Sequence, residues 1–112
     1  MTPVELVQHQ LDAYNRHDLE AFVAVYADDI RIYRMPASEP SLVGREQLAK
    51  FYAAERFSLP RLRADLLNRM ALGNKVVDHE RIHGLREAPF DTVAVYAIEG
   101  DRIARAWFFT PD

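Results

Sequence analysis

The chain contains no cysteine, which excludes disulfides and thiolate metal sites while leaving the compartment open. It has only four glycines, and none stands in a phosphate-cradling loop. No apolar run is long enough to cross a membrane. Positive charge is not gathered into a run, and the net charge is −3, which argues against a nucleic-acid surface. No basic-then-apolar leader precedes the first helix signal, and a cytoplasmic protein is expected. No Ser-His-Asp order, redox motif, internal repeat or low-complexity tract is visible.

What remains is 112 residues, of which 49% are hydrophobic. That length suits one domain over residues 1–112, and a chain of this size buries roughly two-thirds of the surface it exposes when unfolded. Thr2-Pro3-Val4-Glu5 carries a capping box with proline in the first turn. Val4, Val7, Leu11 and Tyr14 then recur at helical spacing. Asp18 is an N-cap for a second helix with Leu19, Phe22, Val23 and Tyr26 on its buried face. Ile30 to Met35 reads as a short strand, and Pro36 to Val43 as a loop. Gly44 opens a third helix through about Phe57, with Leu48, Phe51 and Tyr52 inward.

Beyond Pro60 the apolar period falls to two. Leu62, Ala64, Leu66, Met70 and Leu72 alternate with polar residues, so a strand with one solvated face is expected. Lys75 to His83, Phe90 to Ile98 and Arg102 to Phe109 follow as strands, the last two joined by a tight Glu99-Gly100-Asp101 turn. The fold class is therefore α+β, with three N-terminal helices packed on a curved antiparallel sheet. The last two strands are apolar on both faces, and no helix remains to cover the second one. A homodimer through the face carrying Trp107 is expected, because such a patch is unusual on a monomer.

This element order resembles the nuclear transport factor 2-like superfamily, which includes SnoaL-like domains. Ala13–Tyr33, Phe51–Pro60 and Glu99–Phe109 are the segments that carry the resemblance. It implies a cone-shaped domain with a cavity for a small-molecule ligand, often dimeric. Two enzyme branches come nearest. Steroid Δ-isomerases share the helical half, but their general-base aspartate falls at Arg34, their oxyanion-hole tyrosine at Gln10 and the adjacent acid at about Ala94. Limonene-1,2-epoxide hydrolases share the sheet half. Their arginine is kept as Arg81, one catalytic aspartate becomes His83, and the second falls at Phe108. Their tyrosine and asparagine that hold the attacking water fall at Ile32 and Arg34. SnoaL-like polyketide cyclases use an acid on the last strand, where Phe108 and its neighbours offer none.

His79-Glu80-Arg81-Ile82-His83 matches H-E-x-x-H, which grips zinc only on a helix. On a strand the two histidines stand about 13 Å apart at ~3.3 Å per residue, so no metal site is expected. Strand alternation instead puts Val77, His79, Arg81 and His83 on one face and Val76, Asp78, Glu80 and Ile82 on the other. Periodicity alone does not choose between two charged faces, whereas the resemblance implies that the Arg81 face lines the cavity. On that reading His83 is the general acid or base, and Arg81 with Arg34 holds an oxyanion or acidic group. Positive charge beside a histidine favours neutral imidazole. The alternative is that Arg81 pairs with Asp65 or Glu80 for structural reasons. His79, Tyr14, Tyr26, Tyr52, Phe51 and Phe108 complete the candidate ligand-binding set, with His9 and His17 expected on the surface. No cofactor is implied. The function expected is acid–base chemistry on a small apolar metabolite bearing a carbonyl or acidic group; the competing expectation is a non-catalytic binding or dimerisation module.

Overall fold

The computed structural model describes residues 1–111. Three helices, α1 (Pro3–Arg16), α2 (Leu19–Ala24) and α3 (Arg45–Glu55), pack on one face of a sheet. The strands are β1 (Tyr26–Arg34), β2 (Leu42–Val43), β3 (Arg63–Leu72), β4 (Lys75–His83), β5 (Phe90–Glu99) and β6 (Arg102–Phe109). Their spatial order is β2-β1-β6-β5-β4-β3. The sheet is curved, unclosed and mixed, because β1 runs parallel to β6 while all other pairs are antiparallel. This corrects the wholly antiparallel expectation. A strand joined to its partner through most of the chain has no hairpin to dictate its direction.

Local chemistry explains the helix ends. Thr2 Oγ1 accepts from the Glu5 amide at 3.1 Å, and Glu5 Oε1 accepts from the Thr2 amide at 2.8 Å. His17 closes α1 in the left-handed region at φ 57°, and Asp18 caps α2 by accepting from the Ala21 amide. His17 is no surface bystander. Its Nε2 lies 2.8 Å from the Leu62 carbonyl, and its ring stacks on Phe57. Asn15 exchanges two hydrogen bonds with the Ala64 backbone, at 2.8 and 2.9 Å, and so fixes α1 over β3. The buried stripe of α1 runs through Leu6, Val7, Gln10 and Leu11, and Val4 is exposed. Tyr26 leaves α2 to open β1, which is longer than expected.

Three register shifts bend the sheet, in the β1–β6, β3–β4 and β5–β6 pairs. The last has a direct consequence. Ile98 faces Ile103 while Ala97 faces Arg105, so Ile103 turns inward to join Ala106 in the core. Trp107 and Phe109 stay on the outer face, where Trp107 stacks on Tyr33 at 6.0 Å. Leu66 is exposed although still in register, and the shift that follows it leaves Met70 and Leu72 exposed as well, so the regular alternation expected there does not hold beyond Ala64. Phe22, Tyr26, Ile30 and Leu48 centre the core between helices and sheet.

Candidate functional site

The concave side of β4 decides the site. Val76, Asp78, Glu80 and Ile82 are all buried under the helices, whereas Val77, His79 and His83 are half-buried and Arg81 exposed on the convex side. The expected orientation is therefore reversed. Arg81 Nε donates to Asp91 Oδ1 at 2.8 Å, and His79 Nε2 lies 2.9 Å from Asp91 Oδ2. His83 Nε2 lies 2.9 Å from Asp65 Oδ2, and Asp65 also accepts from Arg63. The partner of Arg81 is thus Asp91, neither Asp65 nor Glu80. These residues form a charged lattice between neighbouring strands, and His83 rims only a surface cleft beside Arg61 and Pro89. Among the described residues no group of three or more His, Asp or Glu is gathered to hold a metal ion.

On the concave side an open-mouthed cavity of about 120 Å³ lies between α1, α3 and the sheet. Of the expected residues, Tyr14, Arg34, Tyr52 and Phe108 line it. Phe51 stands behind them, its ring 5.4 Å from the Arg34 guanidinium carbon and 4.8 Å from that of Arg56. Tyr26 is wholly buried, and its hydroxyl donates to Gln10 Oε1 at 3.2 Å. The expectations missed Gln10, Arg56, Glu80 and Tyr96, all of which line the cavity. A signal for Glu80 was available. Its face of β4 is bracketed by Val76 and Ile82, whereas the opposite face ends in Lys75 and His83. Apolar residues at both ends of a strand face mark the buried side even when acids occupy its middle.

Electrostatics separates the two acids of that face. Asp78 is fully buried and accepts from Arg69 Nε at 2.6 Å and Nη2 at 2.9 Å. Arg69 also donates to Gln8 Oε1 of α1. Glu80 has no cation, and its Oε2 is buried without a hydrogen-bond partner among the described residues. Burial, reinforced by the Asp78 charge and only partly relieved by Arg69, pushes the Glu80 carboxyl up to about 7. Tyr14, Tyr52 and Tyr96 are raised above the ordinary phenol value, chiefly by burial, and stay protonated donors. Among the described residues no hydrogen bond engages their hydroxyls. A carboxyl that can take or return a proton at neutral pH thus shares an aromatic-walled space with phenol donors.

A family model for the SnoaL-like domain matches residues 7–106. The chain belongs to the SnoaL-like family. Its fold is that of an uncharacterized cystatin-fold protein from Novosphingobium aromaticivorans, at 28% identity and TM-score 0.88, covering 96% of this chain and 97% of that one. A Kribbella flavida protein provisionally described as a ketosteroid isomerase superposes with TM-score 0.83 at 20% identity, over 96% of this chain and 76% of that one. A Sinorhizobium meliloti protein provisionally described as a polyketide cyclase gives 0.79 at 20% identity, over 93% of both chains. No curated protein matches the chain. In this SnoaL-like domain the three positions that the steroid isomerase resemblance singled out, Gln10, Arg34 and Ala94, all line the cavity. The positions correspond, while the groups that occupy them differ.

Proposed function

We propose that this SnoaL-like domain binds a small, largely apolar metabolite with a carbonyl or acidic group and acts on it by cofactor-free proton transfer, with Glu80 as the acid–base group. The reaction class is isomerisation, dehydration or hydration. The observation that carries the reading is that Glu80 lines the cavity, that its buried Oε2 has no hydrogen-bond partner among the described residues, and that burial raises its carboxyl to about 7. As carboxylate it removes a proton from the bound molecule. As carboxylic acid it returns that proton, while Tyr14 or Tyr52 donates to a developing oxyanion. Arg81 and His83, on the far face of β4, take no part in this scheme.

A non-catalytic binding domain is the competing reading, favoured by Glu80 being the one carboxylate among the described lining residues. Carbon-13 NMR of the glutamate carboxyls, together with mass spectrometry of molecules that co-purify, tests the proposal. A Glu80 midpoint near 4.5 removes the acid–base role. A midpoint near 7, with turnover of the co-purifying compound lost in Glu80→Gln, supports it. We also propose that the convex face pairs with a second copy through Trp107, Val95 and Phe109. These side chains lie on adjacent strands of one sheet face, and no helix among the described residues covers them.

A further inference from the structure

The cavity wall holds more positive charge than its own acids balance. Arg34, Arg56 and Arg86 line it, against a single carboxyl, Glu80, which is itself partly neutral near pH 7. Among the described residues none of the three guanidiniums has a carboxylate partner. Arg69 shows the contrast, since its carboxylate is supplied from within the chain by the neighbouring strand.

The three arginines are held by ring faces. The Arg34 guanidinium carbon lies 5.4 Å from the Phe51 centroid and 5.8 Å from that of Phe108. Arg56 sits on Phe51 at 4.8 Å, and Arg86 on Phe90 at 3.9 Å. Stacking on a ring face fixes the guanidinium plane and leaves the N–H edge of Arg34 free, the edge that grips a carboxylate in a fork, while Arg56 spends Nη1 on the Glu55 carbonyl at 3.0 Å and keeps its remaining donors. Arg34 comes from the end of β1 and Arg56 from the end of α3, so two separate elements bring their charges to Phe51. Tyr14 and Tyr52 feel both guanidiniums and the Glu80 carboxyl, which places their hydroxyls within Coulombic reach of both ends of the cavity.

We infer that the ligand is an organic carboxylate, held through its anionic group by Arg34 and Arg56, with its apolar body lying toward Tyr96 and Glu80. The inference rests on the cavity being a small-molecule site and adds the charge of the molecule and the residues that read it. A neutral ketone or alcohol leaves the two guanidiniums unanswered. A carboxylate takes the forked edge of Arg34 and orients the rest of the molecule toward the proton-transfer group. Arg86, at the exposed edge, draws the anion in and is sensitive to salt.

Matched acid–amide pairs test this directly. Benzoate, phenylacetate and 2-naphthoate are titrated by calorimetry against benzamide, phenylacetamide and 2-naphthamide at pH 6 and low salt. At least one acid is expected to bind about tenfold or more tightly than its amide, with the ratio falling in Arg34→Met and Arg56→Met and shrinking at high salt. Arg34→Lys guards against a folding defect, because it keeps the charge and loses only the fork; it should retain part of the preference. Equal binding of acids and amides overturns the carboxylate assignment and leaves the cavity reading standing. So does an acid preference that survives both methionine variants. Failure of every acid and amide to bind up to millimolar concentration overturns both.

Discussion

Asp78 and Glu80 point the same way from β4, two positions apart, and only Asp78 is bonded to a cation. Arg69 spends both of its donors to that strand on Asp78, and Glu80 is left to hold a proton instead. One buried acid is tied into the fold by an ion pair, and among the described residues its neighbour carries no such bond.

That free acid costs stability. The Glu80 pKa rises from 4.5 to about 7 on folding, so the folded chain binds more protons than the unfolded one between those values. Stability is then full below about pH 4.5 and declines as pH rises toward 7, by about 3 kcal/mol from this group. Glu80→Gln should flatten that slope and raise stability at pH 8. Urea denaturation of both proteins at pH 5 and pH 8 measures it, and an equal slope in the two proteins would contradict the assignment.

Arg69→Met should strand the fully buried Asp78 charge and cost about 3–5 kcal/mol. The same change removes the one cation that lowers the Glu80 pKa, so Glu80 should titrate higher still. Asp78→Asn should move Glu80 the other way. Adding Asp78→Asn to Arg69→Met should recover much of the lost stability. Denaturant midpoints and carboxyl NMR read both effects in one set of samples.

Ligand affinity should depend on pH through the same carboxyl. An anionic ligand is repelled by ionised Glu80, so affinity for a carboxylate should fall as pH rises through 7. Glu80→Gln should bind it with little pH dependence between 6 and 8. Calorimetry in buffers of different ionisation enthalpy should show proton uptake on binding to the natural protein and none to the variant.

Arg81→Ala and His83→Ala should leave binding in the cavity unchanged, because both side chains lie on the opposite face of the sheet and spend their polar atoms on Asp91 and Asp65. The melting temperature should move little, since exposed pairs of this kind contribute weakly. A large loss of affinity or turnover in either variant would return the site to the convex face.

Trp107→Glu should convert a dimer to monomer, because it places a charge in the centre of the proposed contact beside Val95 and Tyr33. Sedimentation velocity at several concentrations reads the change. A natural protein that stays monomeric at every concentration removes the dimer proposal.

The helices, the closing hairpin and the long strands were legible because capping boxes, turn residues and apolar periods are local signals. The Thr2–Glu5 box and the Asp18 cap are present as expected. The parallel β1–β6 pairing was hidden because it joins residues about seventy-five positions apart. The site was half legible. Tyr14, Arg34, Tyr52 and Phe108 reach the cavity, whereas the facing of β4 was misassigned. Both of its faces carry charges, and a buried acid beside a buried ion pair reads in one dimension like a solvated strand. The convex position of Arg81 follows from a partner, Asp91, on the neighbouring strand.

The placement of β6 has a further result. It stands third in the sheet, between β1 from the start of the chain and β5. Cutting away these eight residues would not trim an edge but split the sheet into a two-stranded and a three-stranded remnant. Neither remnant would keep both walls of the hollow, since Arg34 belongs to one and Glu80 to the other. The hollow can exist only with β6 docked beside β1, and contacts between segments this far apart in sequence favour slow folding.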